Sequence, residues 1–198
     1  MSMESPKIEM DSTTYSIIKG IRSIIIGEMD GLVYPLDNKD SKTYIQISPY
    51  IKFLPIVVCI EFLGACYDEL PFDTSRMKKK KIVETRFNIA IKKLFPNSYA
   101  PFTKANNKFY LYENLRCAMV HQLRPRNGIM FTTRRESIKD TTKHLQEIPQ
   151  GFLILILEDF YDDLKAGAEK IISKFETGKL TNRKGEQAFI NVYTPNIN

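Results

Sequence analysis

The sequence predicts an all-α fold: a helical bundle of about five helices with a small β-hairpin insert. Two observations support this. Apolar residues recur at helical spacing in five separate segments, and between residues 128 and 157 short apolar runs alternate with Gly, Pro and polar turns. With 43% apolar and 26% charged residues, the 198-residue chain suits one globular domain. We expect a flexible leader over 1–10, the helical domain over 11–178 with the β insert near 128–157, and a polar tail over 179–198.

Capping and breaking residues set the limits of the first two helices. Asp11 or Ser12 is placed to cap a first helix, whose isoleucine stripe ends near residues 30–31. Ser48 precedes a proline, a typical helix start, and the residues from there to Leu70 are apolar nearly all round. This composition predicts a buried central helix, which Pro55 is expected to kink or split.

Three further helices and a set of small strands complete the prediction. The helices are expected over about 75–95, 107–123 and 158–178, ended by Pro96, by Pro125 and by Gly178 respectively. The runs G-I-M-F-T-T-R and K-H-L-Q-E-I flank a polar turn and predict a hairpin, and F-L-I-L-I-L predicts a further strand. Short extended pieces are expected at 44–46 and 188–193.

Charge and cysteine usage limit the cellular setting. The chain has 29 Lys and Arg against 23 Asp and Glu, a net charge of +6 that tilts the expectation towards a polyanionic partner. The longest strongly apolar run, from Leu54 to Ile60, is too short to span a membrane. The N-terminus lacks the apolar core of a signal peptide, and three cysteines without a C-x-x-C motif favour a reduced protein. We therefore expect a cytoplasmic protein with no membrane association.

Most catalytic signatures are absent from the sequence. It contains no P-loop, no G-x-G-x-x-G, no H-E-x-x-H and no G-x-S-x-G, and two histidines without a C-x-x-C make a zinc site improbable. No cofactor and no metal are expected. Four acidic residues at 158–163 suit the first turn of the last helix. His144 is interpreted as an ordinary hairpin histidine.

A basic run is the first candidate for a phosphate-binding surface. Lysines near the start of a helix oppose its dipole, so helix stability does not explain them. A patch for RNA phosphates does, and a solvated loop is the alternative. The predicted RNA-binding residues are Lys78, Lys79, Lys80, Lys81, Arg124 and Arg126.

The fourth helix carries the sharpest feature, in the sequence N-K-F-Y-L-Y-E-N-L-R-C-A-M-V-H-Q-L-R-P-R over 107–126. Winding it at about 100° per residue places Leu111, Leu115, Ala118 and Met119 on one core face. Cys117 and Val120 fall on the other side, between Arg116 and His121, which are about 140° apart. An apolar centre flanked by a cation and an imidazole favours a partner surface, and we expect a two-fold homodimer there.

The run R-C-A-M-V-H resembles the R-x4–6-H motif of the HEPN superfamily, and the resemblance covers roughly residues 45–175. It implies a helical bundle that pairs into a two-fold dimer. By this resemblance, Arg116 and His121 match the motif arginine and histidine. In active members of the family the paired motifs form a composite, metal-independent ribonuclease site. Active members often have a polar residue directly after the arginine, where this chain has Cys117.

Two functions from different classes follow. The leading hypothesis is a HEPN-like dimeric endoribonuclease with Arg116 and His121 as catalytic residues. The alternative is a non-catalytic HEPN-like module that dimerises and binds RNA, nucleotide or protein. A third option, a helix-turn-helix DNA binder, is weaker because the chain shows no short recognition helix with the usual tight turn.

The exposure of Arg116 and His121 separates the first two hypotheses. Both side chains exposed in one cleft would favour catalysis, whereas either one buried or ion-paired would favour the module. A purely structural role would pair Arg116 with Tyr112 or Glu113. The sequence identifies no antitoxin or other protein partner.

Overall fold

The computed structural model describes residues 11–34, 48–74, 81–126, 128–181 and 184. These residues are mostly helical, as predicted, with one small sheet of two strands. The helices are α1 Ser12–Gly20, α2 Met29–Val33, α3 Pro49–Ala65, α4 Ile82–Leu94, α5 Ala118–Gln122, α6 Arg134–Asp140 and α7 Leu157–Glu176, and the strands are β1 Ile129–Thr132 and β2 Leu153–Ile156. A π-helical segment, Ile21–Glu28, joins α1 to α2, a second, Tyr112–Cys117, leads into α5, and a 3-10 helix covers Asn97–Thr103.

Helix α1 begins where the sequence predicts. The Asp11 side chain accepts hydrogen bonds from the backbone N–H groups of Thr13 and Thr14, both at 2.9 Å. Hydrogen bonds from the Thr13 and Thr14 hydroxyls, and then those from the backbone N–H groups, lower the pKa of Asp11 to about 2. The cap satisfies two backbone donors that have no partner inside the helix.

Helix α3 lies at the centre of the molecule, packed against both α4 and α7. One side of it is completely buried, including Phe53, Ile56 and Ile60. The Phe53 ring stacks on Phe131 of β1 with centroids 3.8 Å apart and also contacts Phe160 of α7. The helix continues through Pro55, so the predicted split does not occur. A central helix is confirmed, and it holds the bundle and the sheet together.

The fourth helical region begins later than predicted. Asn107 was expected to start a helix, but its carboxamide accepts the Phe109 N–H at 2.8 Å and its carbonyl accepts the Tyr110 N–H. Such local bonds compete with helix formation, so the helical residues begin at Leu111. The predicted end is confirmed, since Leu123 adopts a left-handed conformation with φ of 56° directly after α5.

The β insert differs from the predicted hairpin, because β1 and β2 are parallel, with Ile129 opposite Leu153 and Thr132 opposite Ile156. Residues 133–152 connect them, and parallel strands require such a long crossover. The segment read as a polar turn forms α6, capped by Thr133 through its bond from the Glu136 N–H. The run K-H-L-Q-E-I makes one isolated antiparallel bridge to β2 instead of a strand.

Several predictions fall outside the described residues. These are the leader over 1–10, the extended pieces at 44–46 and 188–193, the start of the third helix at 75, and most of the tail. The fifth predicted helix is confirmed as α7, which ends just before Gly178 with its positive φ of 65°. Within the ranges that the structure describes, no helix is both long enough and apolar enough to cross a membrane.

Candidate functional site

The helical residues 111–122, which carry the R-C-A-M-V-H run, are called the motif helix below. The core face of this helix is as predicted. Leu111, Leu115, Ala118 and Met119 are all fully buried. Their burial fixes the rotation of the helix, because a different rotation would expose four apolar side chains. Arg116 and His121 are thereby turned away from the core, on the two remaining sides of the helix.

Arg116 is held by a carboxylate from the central helix. Its Nε and Nη2 atoms both donate to Oε2 of Glu61, at 3.0 Å and 2.6 Å. The side chains of Arg116 and Glu61 are 16% and 20% exposed. Among the described residues, no acceptor lies within hydrogen-bond distance of Nη1. Glu61 therefore orients one edge of the guanidinium and leaves a terminal nitrogen available.

Glu61 was not identified as a site residue from the sequence. The sequence predicts a structural partner for Arg116 within its own helix, at Tyr112 or Glu113, but the carboxylate comes from α3, 55 positions away. One signal was present: Glu61 is the only acidic residue between Pro49 and Ala65, in a helix that is otherwise apolar except for one lysine. A single carboxylate in such a helix must find a partner or remain at the surface.

The π-helical segment organises the other flank of Arg116. In a π-helix the hydrogen bonds join residues five apart, and Tyr112 and Cys117 are five apart. Burial, and then the neighbouring Cys117 thiol, raise the pKa of the Tyr112 hydroxyl. The Tyr112 ring packs against Phe87 of α4, with centroids 6.0 Å apart.

Next to Tyr112, a polar cluster joins the motif helix to α4. The Tyr110 hydroxyl donates to Oε1 of Glu84 at 2.7 Å and accepts from the Asn88 carboxamide at 2.8 Å. Burial, followed by the Glu84 bond, raises the pKa of Tyr110 to about 12. The Asn88 Oδ1 atom is buried without a partner in the described part of the chain. The cluster fixes the position of the motif helix on α4.

His121 is exposed in the last turn of α5. Within the described ranges no hydrogen bond holds its imidazole. His121 is thus exposed, but Arg116 is ion-paired to Glu61, and by the criterion stated from the sequence this ion pair favours the binding module. The two side chains lie on helical turns of different kinds, because Arg116 is in the π-helical segment and His121 is in α5.

The predicted basic residues are only partly described. Lys78, Lys79 and Lys80 lie outside the described residues, while Lys81 is exposed immediately before α4. Arg124 and Arg126 are exposed in the loop after α5, and the Arg126 Nε donates to Gln122 at 3.1 Å. Arg124 and Arg126 follow His121 by three and five residues in the chain, so cationic groups come shortly after the end of the motif helix.

The apolar surface near the motif lies mainly on α3. Ile51 is 54% exposed and Val58 is 48% exposed. With Leu54 and Pro55, which are partly exposed, they form what we call the outer stripe, on the side of α3 opposite its buried residues. Cys117 and Val120, expected to form the exposed patch, are half-buried instead.

His144 and the acidic residues at the start of α7 form a separate network. His144 Nδ1 accepts the Ile156 N–H at 2.9 Å, and Nε2 lies 2.7 Å from the Tyr99 hydroxyl, which donates to Asp163 at 2.7 Å. Burial lowers the pKa of His144 to about 4 and raises that of Asp163. His144 therefore belongs to a buried network and not to a hairpin.

The other acidic side chains of this region serve the fold, as expected. Arg134 donates to Asp159 at 2.6 Å and to Asp162 at 2.5 Å. Across the described residues, no three His, Cys, Asp or Glu side chains are grouped as metal ligands. The three cysteines are free thiols.

Comparisons of the chain with protein-family models, with curated proteins and with solved structures find no match.

Proposed function

We propose that the protein is a HEPN-like, metal-independent endoribonuclease that uses Arg116 and His121. The observation that supports it is the exposed imidazole of His121, which no hydrogen bond holds within the described residues and which follows Arg116 by five residues. Glu61 accepts from the Nε and Nη2 atoms of Arg116 and so orients its guanidinium, a planar group that suits the recognition of a phosphate.

The reaction is transesterification within the RNA strand. The 2′-oxygen attacks the adjacent phosphorus as its proton passes to an imidazole, and the 5′-oxygen leaves with a proton from a second imidazole. The products are a 2′,3′-cyclic phosphate and a 5′-hydroxyl. Imidazole exchanges protons near neutral pH, and Arg116 stabilises the charge that develops on the non-bridging oxygens. Glu61 is a positioning residue that holds Arg116 without touching the substrate.

A second copy of the chain completes the site in this proposal. One histidine does not serve as both acid and base in a single step, so two protomers supply His121 twice. The outer stripe suits such pairing because it is self-complementary: Ile51 and Val58 are equally spaced about the peptide bond between Leu54 and Pro55. Two copies of α3 packed antiparallel would place each Ile51 against the Val58 of the other copy.

The second candidate function is a non-catalytic module that dimerises and binds RNA, nucleotide or protein. The ion pair between Arg116 and Glu61 favours it, because a paired arginine is a common structural element. The half-buried Cys117 favours it too, standing directly after the arginine. RNA binding by this module would rest on Arg124, Arg126 and the lysine run.

The test is cleavage of mixed RNA by pure protein in EDTA, beside His121→Ala. We expect RNA to be cut to 2′,3′-cyclic phosphate ends and DNA of the same sequence to remain intact, because DNA lacks the attacking hydroxyl. His121→Ala should cleave at least ~10²-fold more slowly, the usual effect of losing a general acid or base. Its melting temperature should hardly change, since His121 is exposed.

Glu113→Gln is the matched control, an exposed change on the same helix. Normal cleavage by His121→Ala would refute the catalytic assignment, as would cleavage of DNA or a strict requirement for Mg²⁺. RNA binding without any cleavage by the wild-type protein would instead establish the binding module.

A further inference from the structure

Two lysines from different helices converge on the ring of Tyr67, just after α3. The ammonium of Lys93, in the last turn of α4, lies 4.7 Å from the ring centroid, and that of Lys174, in the last turn of α7, lies 5.1 Å from it. Lys174 also donates to the Tyr67 hydroxyl at 3.1 Å. Because both centroid distances run to the same ring, the two positive charges are held close together. We call Tyr67, Lys93 and Lys174 the Tyr67 patch.

No carboxylate neutralises these two charges within the described part of the chain. There, neither Lys93 nor Lys174 has a carboxylate oxygen at ion-pair distance, whereas Lys165 on α7 pairs with Asp30 at 2.7 Å. Attraction to the Tyr67 ring and the dipoles at the two helix ends explain why lysines are tolerated here. Neither effect removes the repulsion between the two ammonium groups, and a bound anion would.

The patch has hydrogen-bond donors to offer to such an anion. Lys93 is exposed and Lys174 is half-buried. An ammonium carries three N–H donors, and Lys174 uses one of them on the Tyr67 hydroxyl. Phosphate oxygens accept charge-assisted hydrogen bonds from lysine, which acts on them as a point charge. Two lysines held by one ring therefore suit a phosphate group.

We propose that the Tyr67 patch binds the phosphate backbone of RNA. This assignment rests on the proposed action on RNA and adds a backbone contact separate from Arg116. Helix α4 connects the patch to the motif helix: Asn88 donates to the Tyr110 hydroxyl at 2.8 Å, and Lys93 lies five residues further along, an axial rise of about 8 Å. The patch is thus carried by the helix that supports the candidate site.

An anionic membrane also presents phosphates, but the patch suits a nucleic acid better. Helices that bind flat on a membrane carry large apolar side chains beside their cations. Among the described residues of α4 and α7, no large hydrophobic side chain is exposed. Lysines without an apolar flank suit the backbone of RNA, where neutralised phosphates supply much of the affinity.

The experiment measures binding of a 2′-O-methyl RNA oligonucleotide in EDTA over a range of salt concentrations. This RNA lacks the attacking hydroxyl, so the wild type binds it without cutting it. The variants are the pair Lys93→Gln with Lys174→Gln, the charge-preserving pair Lys93→Arg with Lys174→Arg, and Lys165→Gln as the control on α7. We expect the glutamine pair to bind about 10-fold or more weakly at low salt, for different RNA sequences alike.

The salt dependence supplies the second readout. The glutamine pair should make the slope of log affinity against log salt shallower by roughly 1.4, and the exposed change Lys93→Gln alone by roughly 0.7. The arginine pair and Lys165→Gln should keep the wild-type slope, and all variants should melt close to the wild type.

An unchanged slope and affinity in the glutamine pair overturns the assignment of the patch, while RNA cleavage by the wild type would leave the ribonuclease standing. An equal loss in Lys165→Gln overturns it as well, since net charge alone would then account for the effect. Unchanged RNA binding with lost binding to phosphatidylserine vesicles would assign the patch to a membrane instead. A wild type that neither binds nor cleaves RNA overturns the proposed function itself.

Discussion

At the scale of single residues, the half-buried His144 is expected to make the stability of the fold depend on pH. Its Nδ1 accepts the backbone N–H of Ile156, so the neutral ring carries its proton on Nε2, facing Tyr99. A second proton would break the bond from Ile156 and place a charge in a buried site. Asp159 and Arg134 act on the ring in opposite directions, and burial remains the largest effect.

The free energy of unfolding should therefore fall as the pH is lowered from about 6.5 to 4. The unfolded chain binds a proton near 6.5, the ordinary pKa of histidine, whereas the folded chain does so at about 4. At 1.36 kcal/mol for each pKa unit, the loss is roughly 3 kcal/mol. Urea denaturation across this range measures it.

His144→Gln is the comparison that isolates this effect, because it removes the titrating group. Asp163 acts with the opposite sign, because burial raises its pKa and the folded state therefore binds a proton more readily than the unfolded chain. The stability difference between wild type and variant should shrink as the pH falls. A constant difference would show that His144 titrates alike in both states.

At the scale of helices, the packing of α3 against α4 depends on Gly64. A Cβ atom built at Gly64 would lie 1.9 Å from the backbone carbonyl oxygen of Arg86. Backbone cannot move aside as a flexible side chain can. Arg86 is itself buried and fixed by bonds to Asp68 at 2.7 Å and to the carbonyls of Leu70 and Pro71.

Gly64→Ala should therefore destabilise the protein by roughly 3 kcal/mol or more, because the two helices must separate. Gly31→Ala in α2 is the matched control, since nothing lies within 4 Å of its Cβ position. That change should stabilise the protein by about 0.5–1 kcal/mol through helix propensity. Thermal melts of the two variants test the contrast, and equal stability would mean that α3 and α4 do not approach as closely as described.

At the scale of the whole molecule, the outer stripe of α3 predicts the state of association. Exposed Ile51 and Val58 lie on the helix that also carries Glu61. If the stripe is the two-fold interface, the wild type should sediment as a dimer and bury at least the ~1,000 Å² of a specific contact. Val58→Lys should give a folded monomer, because each lysine would be buried against the Ile51 of the other copy without a charged partner.

Ile138→Lys is the control for the dimer. Ile138 is 77% exposed on α6, so this change adds the same charge at another exposed apolar position. It should leave the dimer intact. A wild type that sediments as a monomer would contradict the composite site, and a Val58→Lys variant that stays dimeric would place the interface elsewhere.

Local patterns in the chain were enough to predict most helices and one face of the candidate site. The cap at Asp11, the end of α5 before Pro125 and the core face of the motif helix each depend on residues close in sequence. The period of 3.6 and the geometry of proline act within one or two turns. The match of Arg116 and His121 to a motif rests on the same short range.

Chain connectivity explains the main error, at the β insert. Short apolar runs predict strands but not their direction. The two strands β1 and β2 are parallel, and the long connection that parallel strands require contains α6. The late start of the motif helix has a local cause that helical periodicity does not reveal, the side-chain bond of Asn107 to the Phe109 N–H.

By itself the sequence determined most of the helical segments, α6 excepted, and the buried face of the motif helix, since both follow from spacing within single elements. Only the tertiary structure decided which side chain meets Arg116. Glu61 is 55 residues away, and nothing in local spacing indicates that α3 and the motif helix place the two groups 2.6 Å apart. The same holds for His144, which contacts Tyr99 of the 3-10 helix, Ile156 of β2 and the Phe160 ring of α7. Such contacts depend on how the buried faces of distant helices fit together, and that packing is a property of the whole core.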